Sequence, residues 1–428
     1  MAKNTNLNLR GQLMYSVFVR NHTKEGTFRA LESDLDRIAA LGTDIIWLMP
    51  IHPIGKVARK GELGSPYAIS DYRAINPEYG TLEDLKHLVK EIHDRGMKCI
   101  IDVVYNHTAP DSVLAAEHPE YFFCDAEGKP SRHVAEWWDI VDLDYSHRGL
   151  WDYQIETLVM WAGIVDGFRC DVASMVPVDF WCEAREAVEK VRPGCIWLAE
   201  SVFQDHVRGM RSEGAYCASD SELYEAFDIC YPYDVWDVFD GVFNGSSTLQ
   251  DYVRVLNFQE GVYPGNYVKL RCLENHDQAR FASRVDSDAA LRSWMAFSYF
   301  ERGTTMLYGG TEFGAKKMVT LFDKDDNFGD KQADWQPYLK QLRTMKRRLP
   351  LLGDYRLRCD GDVIVGSYVT PDKQVWGVFP VSGAECTVAV DLPDGLYRGM
   401  IDGREVEVRN GTIHTDGTPV VMEKEAAE

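Results

Sequence analysis

Apolar residues in this chain fall in short, nearly continuous runs separated by stretches of helical spacing. Residues 12–19, 44–48, 98–104, 164–170, 195–199, 226–230, 268–273 and 304–307 read as strands buried on both faces. Between them, Leu31, Leu35 and Ile38 recur at helical spacing before Gly42. Leu82, Leu85, Leu88, Val89 and Ile92 do the same; Thr81 and Asp84 supply a capping box, and Gly96 supplies a stop. Eight strands alternating with helices predict an α/β fold, a (β/α)8 TIM barrel.

Two stretches depart from the alternation. About forty residues separate the third strand from the helix that begins near Arg148, against roughly 2–6 in an ordinary βα loop. This stretch carries Trp137-Trp138 and Asp142-Leu143-Asp144, and it reads as a small subdomain over the C-terminal end of the barrel. After residues 347–353, short β-type runs punctuated by Pro-Asp-Gly and Asp-Gly turns predict an antiparallel β-sandwich. The expected division is therefore a barrel over 1–105 and 148–349, an inserted subdomain over 106–147, and a C-terminal β domain over 350–428.

With 428 residues, 45% of them hydrophobic, the chain can bury a large barrel core and an accessory domain. Its 46 Lys and Arg against 67 Asp and Glu give a net charge of -21. That charge repels nucleic acid and anionic membrane, which excludes both as expected partners. Neither the N-terminal residues nor any later stretch has the apolar length of a leader or a membrane span. There are ten cysteines and no CxxC pair, and Cys99, Cys170, Cys195, Cys230 and Cys272 lie in predicted interior strands. Reduced thiols and a cytoplasmic location are expected.

The candidate chemistry sits at strand ends, where a barrel places its site. Positions i and i+2 of a strand share a face, so Arg169 lies beside Asp171 and should hold that carboxylate ionised. Glu200, directly after 195–199, is the natural partner if it keeps its proton while Asp171 stays charged. A pair about 5–5.5 Å apart would form and break a covalent sugar ester with retention. The third strand runs into Asp102-Val103-Val104-Tyr105-Asn106-His107, and the seventh into Glu274-Asn275-His276-Asp277.

These four segments, in this order, resemble the signatures of the α-amylase family, glycoside hydrolase family 13. The stretches Gly64-Ser65-Pro66-Tyr67 and Leu307-Tyr308-Gly309-Gly310-Thr311-Glu312 agree with it, and the resemblance covers nearly the whole chain. It implies a retaining α-glucan hydrolase acting on α-1,4 bonds of maltooligosaccharides, maltodextrin or starch. Exo-acting α-glucosidase, maltogenic amylase and transglycosylase activities are alternatives within the family. By the resemblance, Asp171 is the nucleophile, Glu200 the general acid and base, and Asp277 the residue that holds substrate hydroxyls and favours the distorted ring. Arg169 orients Asp171 and pairs with Asp102, His107 and His276 bond sugar hydroxyls, and Tyr67 stacks on the sugar.

No cofactor is required for this chemistry. Asn106 and Asp142, with Asp144, suggest a structural Ca²⁺, since that ion takes hard oxygen ligands. The chain departs from the family at Ser174 and Met175, where many α-amylases carry Lys-His and use the His carbonyl for calcium. Trp137 and Trp138 read as packing or as sugar platforms, and His52 and His93 as structural. Two other functions remain open. A metal-dependent hydrolase would use Asp102, His107, His276 and Asp277 as ligands, but the first strand, Met14-Tyr15-Ser16-Val17-Phe18, lacks His-x-His. A non-catalytic relative would usually lack one of the three acids that this chain keeps.

Overall fold

A computed structural model describes residues 4–425 and contains all eight predicted barrel strands. They are β1 (Leu13–Val17), β2 (Ile45–Leu48), β3 (Lys98–Val103), β4 (Gly167–Cys170), β5 (Ile196–Ala199), β6 (Ile229–Cys230), β7 (Val268–Arg271) and β8 (Thr304–Tyr308). Neighbours in sequence are neighbours in space, and the sheet closes on itself. The strands are buried along their whole length except at Lys98, as expected of a barrel filled with side chains and ringed by helices.

Two predicted strands shorten for a local reason. Ile164 and Val165 donate their N–H groups to Trp161 O, so they finish the helix Arg148–Ala162 before β4 can begin. Ala226 and Phe227 both donate to Leu223 O, closing the short helix Asp220–Leu223 ahead of β6. An apolar run cannot show this by itself, because buried helix ends and buried strands have the same composition. The pattern at Leu31, Leu35 and Ile38 likewise resolves into two short helices, Phe28–Glu32 and Leu35–Ala40. Thr81 and Asp84 do form the reciprocal capping box of helix Leu82–Asp94, which buries Leu85, Leu88, Val89 and Ile92.

Gly167 shows why the signature on β4 begins with glycine. A Cβ there would lie 2.4 Å from Ile196 O and 2.9 Å from Ile100 Cγ2, so only a hydrogen lets β3, β4 and β5 pair this closely.

The stretch after β3 contains helix Val113–Glu117 and a small antiparallel ladder of His107–Thr108 with Val141–Asp142, in which His107 faces Asp142. After the barrel, two four-stranded antiparallel sheets follow. One has the order Asp354–Asp360, Val363–Val369, Lys373–Pro380, Val420–Glu425; the other Cys386–Ala389, Thr412–Thr415, Glu405–Arg409, Gly395–Arg398. Inward residues of both, among them Val365, Val378, Val408 and Ile413, form one core, as in a β-sandwich.

By contact density the chain resolves into two compact units. One holds Met14–Asp234 and Met318–Gly329; the other holds Leu7–Leu13, Val235–Lys317 and the residues from Asp330 onward. All ten cysteines are free. Among the described residues, no helix is long and apolar enough to cross a membrane.

Candidate active site

The register of the barrel builds the site. Asp102 on β3 pairs directly with Arg169 on β4, which pairs with Leu198 on β5. The ladder continues one residue past the strand ends: Asp171 N–H donates to Val103 O, and Glu200 N–H to Cys170 O. Two acids are thereby fixed through the backbone on either side of one arginine.

Arg169 is fully buried and serves three carboxylates. Its Nη1 donates to Asp102 Oδ1 at 3.0 Å, to Asp102 Oδ2 at 3.1 Å and to Asp171 Oδ1 at 2.8 Å. Its Nη2 lies 2.8 Å from Glu200 Oε2, a contact that is ionic and lacks the alignment of a hydrogen bond. Its Nε donates to Tyr231 Oη at 3.3 Å, and the guanidinium lies 5.1–5.6 Å from the ring centres of Trp47, Tyr231 and Tyr67. Aromatic faces favour a cation, so the cage and the acids together keep it in place. Burial opposes the charge on Arg169, but Asp102 and Glu200 outweigh burial and hold the group well above its ordinary pKa. The arginine is therefore a brace for both candidate catalytic acids, a wider role than orienting Asp171.

One guanidinium cannot neutralise three carboxylates. Burial pushes Asp102 up to about 7, against the pull of Arg169 and with the charge of Asp171 adding to the rise. The proton belongs to the cluster as a coupled set. Asp102 holds its proton more tightly in the folded protein than at its ordinary value of 3.8, so folding takes up a proton between those pH values. The stabilisation is complete below about pH 4 and is lost as the pH climbs to about 7. Calorimetry on wild type and Asp102→Asn should show the balance shifting toward the variant across that window. A difference in stability that does not vary with pH would exclude the assignment.

Glu200 has a second anchor. Its Oε2 accepts the Val172 N–H at 2.8 Å. Val172 adopts φ 33°, ψ 46°, a left-handed conformation that costs a β-branched residue roughly 1–3 kcal/mol. Packing of its side chain with Met175, Val202 and Val207 holds it there. The strained turn directly after Asp171 thus aims a backbone donor at the neighbouring acid.

Tyr67 is half-buried, and its hydroxyl donates to Asp102 Oδ2 at 3.1 Å. His107 is buried with Nε2 3.9 Å from Asp171 Oδ2, too far for a hydrogen bond, and its ring packs on Trp137. Trp138 is 54% exposed, with Lys60 Nζ 4.4 Å from the ring centre. Tyr67 and His107 thus stand against Arg169 and its acids. His276 and Asp277 stand after β7 in the other compact unit; His276 Nε2 is 3.1 Å from Asp277 Oδ2, and Asp277 is exposed. Glu274, three residues earlier, is consumed structurally by Arg280, Thr311 and the Phe281 N–H.

His52 is buried against Ala74 O and pushed by burial down to about 4; His93 bonds Asp166. Both have structural partners, in line with the sequence reading. Three contributors were not foreseen. Tyr231 follows β6 and was accessible to the strand-end logic, but carries no charge to draw the eye. Trp47 lies within an apolar strand, and nothing in the sequence signals the backbone strain at Val172.

Asn106 and Asp142 come together, but the groups around them are hydrogen-bond donors. Asp142 Oδ2 accepts the His133 N–H and lies 2.8 Å from His133 Nδ1, while Asn106 Nδ2 points at Asp142 Oδ1 from 3.4 Å. The hydrogen bond to Asp142 raises the His133 imidazole above its ordinary pKa, against burial. Among the described residues, no three His, Cys, Asp or Glu side chains converge as a metal site.

A closed parallel barrel with buried acids braced at the ends of adjacent strands has the form of a (β/α)8-barrel enzyme. Residues 12–139 and 134–351 match the alpha amylase catalytic domain, and residues 356–422 match the bacterial alpha amylase C-terminal domain. The chain belongs to the α-amylase family. It is similar to the crystal structure of an α-amylase from Lactobacillus plantarum, with 46% identity and a TM-score of 0.95 over 98% of this chain and 100% of that one. It is also similar to a noncanonic maltogenic α-amylase from Thermotoga neapolitana, with 31% identity and a TM-score of 0.86 over 98% and 100%. An α-1,4-glucan:maltose-1-phosphate maltosyltransferase of Myxococcus xanthus is 31% identical over 80% of this chain and 53% of its own length. The chain spans 53–59% of the length of the first curated relatives it matches.

Proposed function

We propose that this protein is a retaining α-glucan hydrolase that cleaves α-1,4-glucosidic bonds of maltooligosaccharides, maltodextrin or starch fragments through a covalent glycosyl-enzyme. The observation that carries the proposal is the single buried guanidinium of Arg169 shared by Asp171 and Glu200. Arg169 holds Asp171 Oδ1, which leaves Oδ2 to bond the anomeric carbon as the glycosidic C–O bond breaks. Glu200, fixed through Oε2, gives its proton to the departing sugar oxygen and then takes one from the water that hydrolyses the ester. His107, beside Asp171, and the half-buried ring of Tyr67 contact the sugar at the cleavage point. Asp277, with His276 against it, binds sugar hydroxyls and favours the distorted ring.

Proton NMR of the first product from a maltooligosaccharide should show the α-anomer, the configuration of the bond cleaved. The β-anomer appearing first would exclude the covalent route. A second reading, transfer of the glycosyl unit to another sugar in place of water, is favoured by the similarity to a maltosyltransferase. Products longer than the starting oligosaccharide would identify it.

Glu200→Gln should lower kcat on maltooligosaccharides by roughly 10²–10⁴. Bond cleavage in an aryl maltoside with a strongly acidic leaving group should be affected far less, because that group departs without a proton. Equal losses on both substrates, measured by burst kinetics, would remove Glu200 from the acid role.

A further inference from the structure

The oxygen ligands of Asn106 and Asp142 suggest a calcium ion in the sequence, and the donors that surround them in the structure do not fit one. We propose that this position is closed from within the chain: His133 and Asn106 clamp the Asp142 carboxylate, and the folded protein takes up no calcium there. Calcium needs six to eight oxygens around it. Asp142 is 1% exposed, and both of its oxygens face N–H groups: Oδ2 the backbone and ring nitrogens of His133, Oδ1 the amide nitrogen of Asn106. The two His133 nitrogens take both acceptor directions of Oδ2, and the Asn106 amide takes one of Oδ1. The Asn106 amide nitrogen also lies 3.2 Å from His107 Nδ1.

The second nearby carboxylate, Asp144, is half-buried and has a backbone partner of its own. Asp144 Oδ1 accepts the Ser146 N–H at 2.9 Å, and Oδ2 faces His147 at 3.7 Å. Asn106, His133, Asp142 and Asp144 share a cavity of about 380 Å³ with Phe123, Leu143, Met175 and Met210, so its wall is part polar and part apolar.

The clamp also does the mechanical work a bound ion would do. His133 stacks on Phe123, with ring centres 4.1 Å apart, and Asp142 exchanges backbone hydrogen bonds with Phe123 and Ser131. Asp142 in turn faces His107 across the small ladder. One hydrogen-bonded carboxylate therefore ties the middle of the inserted stretch to the strand carrying His107, which sits beside Asp171.

The test is calcium content and thermal stability, which are independent of any reading of the activity. After EDTA treatment and equilibrium dialysis against about 1 mM calcium, elemental analysis should find far less than one ion per chain. The Tm should be the same in EDTA and in calcium. His133→Ala should lower the Tm by about 2–4 °C, and adding Asp142→Asn should lower it no further than the worse single change. One tightly held calcium per chain, a wild-type Tm that rises with calcium, or a His133→Ala protein as stable as wild type would each overturn the proposal. The calcium measurements on wild type decide it even if the variants fail to fold.

Discussion

Replacing Asp171 by asparagine should abolish turnover while leaving the protein folded. The amide keeps the shape of the carboxyl and can still accept the 2.8 Å hydrogen bond from Arg169 Nη1 through its oxygen. It cannot form the sugar ester, so kcat on maltooligosaccharides should fall by roughly four orders of magnitude or more. Stability should hold or rise, because the change removes one of three acids that compete for one guanidinium. Steady-state kinetics and thermal unfolding on the same preparation check both halves. Residual activity above about one hundredth of wild type would mean that another group attacks the sugar. A large drop in Tm would mean that Asp171 is chiefly a structural ion-pair partner.

Replacing Arg169 by methionine should have the largest effect on stability. Methionine fills much of the same volume but leaves Asp102, Asp171 and Glu200 buried without their shared cation. Breaking a buried ion pair from one side costs about 3–5 kcal/mol, since an uncompensated charge remains inside. Urea unfolding measures this loss, and activity should fall with it as both acids lose their anchor. The double variant Arg169→Met/Asp102→Asn supplies a sharper check. It removes the most deeply buried of the stranded acids and should recover part of the stability. A single variant within about 1 kcal/mol of wild type, or a double variant less stable than the single, would show that the guanidinium is not the keystone of the cluster.

Much of the site was readable because a strand has period two and a barrel keeps its chemistry at one end of every strand. The i, i+2 relation between Arg169 and Asp171 needs only strand geometry, and the structure shows the contact directly. Glu200 could be placed at a strand end from the apolar run before it, but no local pattern says that it touches the same arginine. That contact arises because β4 and β5 are neighbours and Glu200 continues their ladder. The later start of the strand predicted from Ala226, and the break in the helical pattern at Leu31, Leu35 and Ile38, have the opposite reason. There, local hydrogen bonding at chain reversals overrode an apolar pattern compatible with more than one element.

Sequence alone determined the barrel, the β-sandwich and the acids at the strand ends, because periodicity and strand-end polarity are local properties carried by consecutive residues. Tertiary structure decided which groups share a charge and which donors surround an acid. Asp102, Asp171 and Glu200 meet at one guanidinium, Val172 is bent into a left-handed turn toward Glu200, and His133 closes on Asp142. In each case the physical reason is the same. The energy of a buried charge depends on what lies within a few ångströms in space, and closure of the barrel and folding of its inserted stretch bring together residues far apart in the chain.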